Sequence, residues 1–148
     1  MAIDFTVRHM KKSDLDAVFL IEEECFSVPW SKRSLSEAFS HTPWQFFVAE
    51  HEKNIVGYGG VYMILDEGQI SNIAVLSSFR GNGIGFAILN KIIDHSKAQG
   101  AVRITLELRE SNNPARALYE KCGFIQVGCR PNYYTHPVEN AILMDKNL

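Results

Sequence analysis

A chain of 148 residues, with 46% hydrophobic, 22% charged and 11% aromatic side chains, has the composition of one ordinary globule. That excludes a disordered tail, a collagen-like fibre and a low-complexity linker, and a domain of this size buries roughly two-thirds of its unfolded surface, enough for a core without metal or disulfide staples. Fifteen Lys+Arg against 17 Asp+Glu, a formal charge of −2 and a pI near 6.2 argue against a coat for nucleic acid or for an anionic membrane.

In chain order, Asp4–Arg8 reads as a first strand. Ser13 looks like an N-cap, with Asp14 and Asp16 in the first turn and Leu15, Val18 and Ile21 at helical spacing. Pro29 and Trp30 break that pattern, and Ser31 restarts a shorter helix carrying Leu35, Ala38 and Phe39. Gln45–Glu50 and Asn54–Leu65 read as strands joined by a polar turn, and Gly57, Gly59 and Gly60 suggest a bulge or a close backbone approach. Gln69–Leu76 is a further strand that runs into Arg80-Gly81-Asn82-Gly83-Ile84-Gly85. Ile84, Ile88, Leu89, Ile92 and Ile93 then form a helical stripe, which Gly100 ends. Val102–Leu108 alternates as a strand, and Asn112, Asn113 and Pro114 open a helix that Gly123 closes. Phe124–Cys129 and Asn140–Lys146 are the last strands, with Arg130–Glu139 read as the loop between them. The pattern predicts an α/β (α+β) mixed sheet with helices on its faces, in a single domain over residues 1–148.

The three cysteines (Cys25, Cys122, Cys129) include no CxxC pair, and no His stands at ligand spacing from them. Free thiols in a reducing compartment and no metal site are expected. The opening MAIDFTVRHMKKSD lacks the apolar stretch of a signal peptide, and no apolar run approaches the ~20 residues that span a bilayer. A soluble cytoplasmic protein without a membrane partner is the expectation.

The sharpest local signal is the glycine-rich loop. Three glycines in five positions let backbone N–H groups converge on one point, and the helix that follows adds the positive end of its dipole. Arg80 enters the loop, and no carboxylate lies between Ser77 and Ile93. The loop suits an anion, most naturally a phosphate or pyrophosphate. It is no Walker loop, since no Lys follows the glycines. A dinucleotide fingerprint fails as well, because its last small position holds Phe86 or Ile88.

Read as Gln/Arg-x-x-Gly-x-Gly/Ala, Arg80–Gly85 resembles the pyrophosphate loop of the GNAT superfamily of acyl-CoA N-acyltransferases. The resemblance extends to Asn72-Ile73-Ala74-Val75, to Leu106-Glu107-Leu108-Arg109-Glu110-Ser111-Asn112 and to Ala117-Leu118-Tyr119-Glu120-Lys121-Cys122-Gly123-Phe124. With Pro29-Trp30-Ser31 and Asn132-Tyr133-Tyr134, the chain is similar over its whole length to the RimI branch, the ribosomal-protein alanine N-acetyltransferases. Phe86 departs from the small or basic residue of that pattern.

The resemblance implies a GNAT-type sheet, mostly antiparallel, with helices on both faces and a splayed central parallel strand pair. It implies acetyl-CoA as co-substrate, without a metal. Ile73, Ala74 and Val75 would meet the acetyl-pantetheine arm, Arg80, Gly81, Asn82, Gly83, Ile84, Gly85 and Phe86 would hold the pyrophosphate, and Asn112 would touch the cofactor. Glu107 becomes the general base and Tyr119 the general acid. Chemistry agrees: an α-amine of pKa near 8 must lose a proton before it attacks, and the departing thiolate must gain one. On alternation alone Glu107 is a solvated polar-face residue, Tyr119 a rim-of-core aromatic and Asn112 a helix cap.

The implied acceptor is the N-terminal amine of a small-subunit ribosomal protein. Trp30, Tyr133 and Tyr134, aromatics in Pro- and polar-rich segments, are the candidates for flanking its first residues. Glu22-Glu23-Glu24 and Asp66-Glu67 could attract a basic peptide or could be plain solvated faces. A GNAT enzyme acting on a lysine side chain or a small amine, and a silent acyl-CoA-binding module, remain the alternatives. RNA binding is opposed by the charge balance.

Overall fold

A computed structural model of the chain describes residues 3–41 and 43–148. Met1 and Ala2, at the head of the stretch read for a leader, lie outside the described residues. The elements run β1 (Thr6–His9), α1 (Leu15–Cys25), α2 (Lys32–Phe39), β2 (Trp44–His51), β3 (Asn54–Ile64) and β4 (Glu67–Val75). They continue as α3 (Ile84–Ala98), β5 (Arg103–Arg109), α4 (Asn113–Lys121), β6 (Ile125–Thr135) and β7 (Val138–Asn147). The strands form one seven-stranded sheet in the order β1-β2-β3-β4-β5-β7-β6. All pairs are antiparallel except β4 with β5.

Helices cover both faces because the central strands are apolar on both. In β2, Phe46 and Val48 pack with Val18, Ile21, Leu35 and Tyr58 beneath α1 and α2, while Phe47 and Ala49 join Ile84, Ile88, Leu89 and Ile92 of α3. In β5, Ile104, Leu106 and Leu108 belong to the α3 side, so Thr105, Glu107 and Arg109 point to the side of α1 and α2. Helix α2 starts where Ser31 accepts from the Ser34 amide, and Asn112 likewise caps α4 by accepting from Ala115 at 3.3 Å.

Two local readings change. Ser13 does not cap α1: it lies in a 3-10 turn (Lys12–Asp14) in which Asp14 is buried and paired with Arg8 at 2.8 Å. The segment Arg130–Glu139 is not a loop, because β6 and β7 extend through it as a long hairpin. The hairpin accommodates Pro131 and the positive φ of Asn132 in a register shift between Arg130 and Tyr134.

The parallel pair fixes where a site can form. β4 and β5 are in register only from Glu67–Gln69 against Arg103–Thr105. Beyond that point β4 continues to Val75 and β5 to Arg109, each still paired on its other side. A bulge on β4 near Ser71 and Asn72, opposite Gly60, helps to turn the strand away. Opposite that bulge, position 60 has to be glycine, since a Cβ there would meet the Phe46 ring at 2.6 Å.

Candidate active site

One end of the splay is the glycine-rich loop. Gly81 and Gly83 have φ of +84° and +80°, and a Cβ on either would point into open space. Only glycine takes that conformation without strain. Asn82 holds the turn by donating to the Phe79 carbonyl at 2.9 Å. Gly83 is the N-cap of α3 with no side-chain cap, and the amides of Gly81, Asn82 and Gly83 find no backbone acceptor among the described residues. Uncapped amides facing open space at a helix N-terminus fit a pyrophosphate group. Gly85 lies against α4, where a Cβ would make an ordinary contact with Leu118 at 3.4 Å. Phe86, in the first turn of α3, is exposed.

Arg80 turns inward: its Nε donates to the Val75 carbonyl at 3.0 Å and its Nη2 lies 3.6 Å from Cys25 Sγ. The guanidinium thus ties the loop to the end of β4 and to α1. Within β4, Ile73, Ala74 and Val75 pair with Gly59, Tyr58 and Gly57 on one side only, which leaves their other backbone edge facing the splay.

Glu107 stands on the opposite wall. Its side chain is about one-third exposed (32%), with Arg130 Nη1 at 3.6 Å, so it is half-buried rather than fully solvated. The neighbouring Glu107 carboxylate pushes the Tyr133 phenol pKa up. Tyr134 is pushed up to about 12, mainly by burial and then by the Glu107 charge. Tyr119 is buried against Phe124, and burial, followed by the field of Tyr134, raises its pKa well above an ordinary phenol's.

Beside the Glu107 carboxylate two connections meet. Ser27 Oγ, between α1 and α2, donates to the His136 carbonyl in the β6–β7 turn at 2.7 Å. Arg109 supports that turn through the carbonyls of Pro137 (2.9 Å) and His136 (3.2 Å), through Glu139 at 3.2 Å, and by stacking over the Tyr134 ring at 4.4 Å. Trp30 packs edge-on against Trp44 at 5.3 Å and near Phe46 at 6.2 Å, half-buried rather than free. Tyr133 remains exposed.

The acidic stretches are not uniformly solvated. Glu22 is wholly buried: its Oε1 accepts from the Tyr58 hydroxyl and from Asn72 Nδ2 at 3.1 Å, and its Oε2 from the Trp30 amide at 3.1 Å. Glu24 accepts from the Ser77 amide, and Glu67 pairs with Arg103. Of these acids Glu22 is the one that matters to the site, because it ties the Trp30 connection to β3 and β4. The signal was in the spacing: Glu22 lies seven residues from Leu15 and four from Val18, on the buried stripe of α1. Among the described residues no group of three or more His, Cys, Asp or Glu converges as a metal would need, and no helix is long and apolar enough to cross a membrane.

Residues 15–124 match the acetyltransferase (GNAT) family. A Haemophilus influenzae protein named [ribosomal protein bS18]-alanine N-acetyltransferase is 36% identical over 141 residues, covering 93% of this chain and 95% of that one. Its Escherichia coli namesake is 33% identical, over 94% and 95% of the two chains. The crystal structure of the ribosomal-protein-S18-alanine N-acetyltransferase from Escherichia coli superposes with a TM-score of 0.90 at 31% identity, over 97% of this chain and 94% of that one. With the splayed pair, the uncapped glycine loop and the carboxylate opposite it, these matches establish that the chain belongs to the GNAT acetyltransferase family, in its RimI-like branch.

Proposed function

We propose that this protein transfers the acetyl group of acetyl-CoA to the N-terminal α-amine of a protein, the acceptor being the N-terminal alanine of a small-subunit ribosomal protein. The observation that carries this reading is the splay, which puts a loop suited to pyrophosphate at one end of β4 and Glu107 on the strand that parts from it. Ile73, Ala74 and Val75 offer unpaired backbone groups to the thioester arm, and a strand N–H there can stabilise the oxyanion. Glu107, directly or through water, takes the amine proton. Tyr119 supplies a proton to the departing thiolate. Its burial keeps the phenol protonated across the working pH range, so it enters the transfer with a proton to give. Trp30, Tyr133 and Tyr134 border the acceptor, and Asn112 adds a cofactor contact to its capping role. The activated thioester calls for no metal. A single domain over residues 1–148, acting in the cytoplasm on a peptide rather than on nucleic acid or a membrane, completes the proposal.

The test is to incubate the protein with acetyl-CoA and peptides with an N-terminal alanine, then to locate the added acetyl group by mass. Acetylation of the α-amine is expected. Equal modification of lysine side chains on N-terminally blocked peptides would move the acceptor to side-chain amines, and binding without transfer would leave only a silent module.

A further inference from the structure

The first turn of α3 carries no cation: Ile84, Gly85, Phe86 and Ala87 follow Gly83. The pyrophosphate would therefore meet amides and a helix dipole but no positive side chain from that turn. Helix α4 lies alongside, with Leu118 at 3.4 Å from where a Gly85 Cβ would be. Lys121, one turn beyond Leu118 on the same face of α4, brings its Nζ to 4.7 Å from the centre of the Phe86 ring. Lys121 makes no ion pair among the described residues, whereas Arg116 of the same helix is paired with Glu120. A ring face holds an ammonium in place without cancelling its charge, as a carboxylate would. The result is a cation without an ion-pair partner among the described residues, resting on a ring in the first turn of α3.

We propose that Phe86 and Lys121 form a shelf that binds a phosphate of acetyl-CoA, with Lys121 supplying the charge and Phe86 fixing its position. This rests on the acetyl-CoA reading given above. It assigns a purpose to the aromatic residue that departs from the small or basic pattern at position 86: the cation comes from α4 instead.

The experiment is calorimetric binding of acetyl-CoA, and of its 3′-dephospho form, to the wild type, Lys121→Met, Phe86→Ala and the double variant at low and high salt. Both side chains lie at the surface, Lys121→Gln serves as a second charge-removing variant, and thermal melting checks folding. Loss of one charge-assisted phosphate contact should weaken acetyl-CoA binding by about tenfold and flatten its salt dependence. Phe86→Ala should weaken binding less, and the double variant should be no worse than Lys121→Met alone, because the ring acts through the ammonium. A defect that persists with the 3′-dephospho form places Lys121 on the pyrophosphate, and one that vanishes places it on the 3′-phosphate; either upholds the shelf. Wild-type affinity and salt dependence in folded Lys121→Met and Lys121→Gln would overturn it while leaving the acetyl-CoA reading intact. A wild-type protein that does not bind acetyl-CoA would overturn that reading and the shelf together.

Discussion

Glu107 and Tyr119 differ in what surrounds them, and their variants should differ accordingly. Glu107→Gln keeps shape and hydrogen bonding but cannot accept a proton. Its rate at pH 7 should fall by about 100-fold or more and recover partly above pH ~9, where the amine deprotonates unaided. Initial rates across pH check this, and a variant with wild-type rates throughout would show the carboxylate to be a surface residue. Tyr119→Phe should slow turnover by a smaller factor, without weakening acetyl-CoA binding. Because its raised pKa keeps the wild-type phenol protonated past pH 10, no alkaline loss of the proton donor should appear below that pH. Gly83 is a different kind of residue: Gly83→Val puts a β-branched side chain where φ is +80° and where the anion would sit. The folded variant should lose acetyl-CoA binding in calorimetry.

Helix α1 does more than cover the sheet. Through Glu22 it fastens the Trp30 connection to Tyr58 of β3 and to Asn72 beside the β4 bulge. A buried carboxylate with three donors is stable only while all three are in place. Glu22→Leu should therefore destabilise the fold by about 2–4 kcal/mol, leaving a hydroxyl and two N–H groups without an acceptor. Denaturant titration reads that loss. At the start of the same helix, Asp14 accepts from the Lys11 amide at 2.7 Å and from Arg8, and hydrogen bonding to Arg8 is the main reason its pKa is depressed. The sign follows from that direction. The stabilisation is complete above the unfolded carboxylate value near 4, and it drains away as pH falls through that value toward the lower folded one. Asp14→Asn should cost about 1–2 kcal/mol at pH 7 and nothing below both values, so its melting curve should converge with the wild type in acid.

The space proposed for the acceptor exists only in the assembled molecule. Its two walls, the α1–α2 connection and the β6–β7 turn, lie 109 residues apart in the chain and touch through Ser27 and His136. Arg109 anchors the second wall from β5, the strand that also carries Glu107. Removing an aromatic that borders this space, by Trp30→Ala or Tyr134→Ala, should raise KM for the peptide by an amount on the order of 2 kcal/mol. Acetyl-CoA affinity should stay unchanged, because neither side chain belongs to the glycine loop or to β4. Steady-state kinetics against both substrates separate the two effects.

Much of this was legible along the chain wherever the governing interactions are local. The helical stripe of α3, the caps at Ser31 and Asn112 and the glycines of the loop are set by φ, by spacing and by nearest neighbours. The residues of the candidate site were legible through the resemblance, since alternation in β5 alone assigned Glu107 to solvent. What depended on distant partners was not legible. Glu22 sat in a run of three acids, and only the convergence of Tyr58, Asn72 and Trp30 makes burying it favourable. Residues 130–139 carried loop signals, and it was pairing across the hairpin that drew them into strands. Arg80 could be placed at the mouth of the loop, but its bond to the end of β4 could not. A local sequence can prescribe a turn or a stripe, but a buried charge and an extended hairpin are decided by which acceptors and strands the rest of the fold brings within about 3 Å.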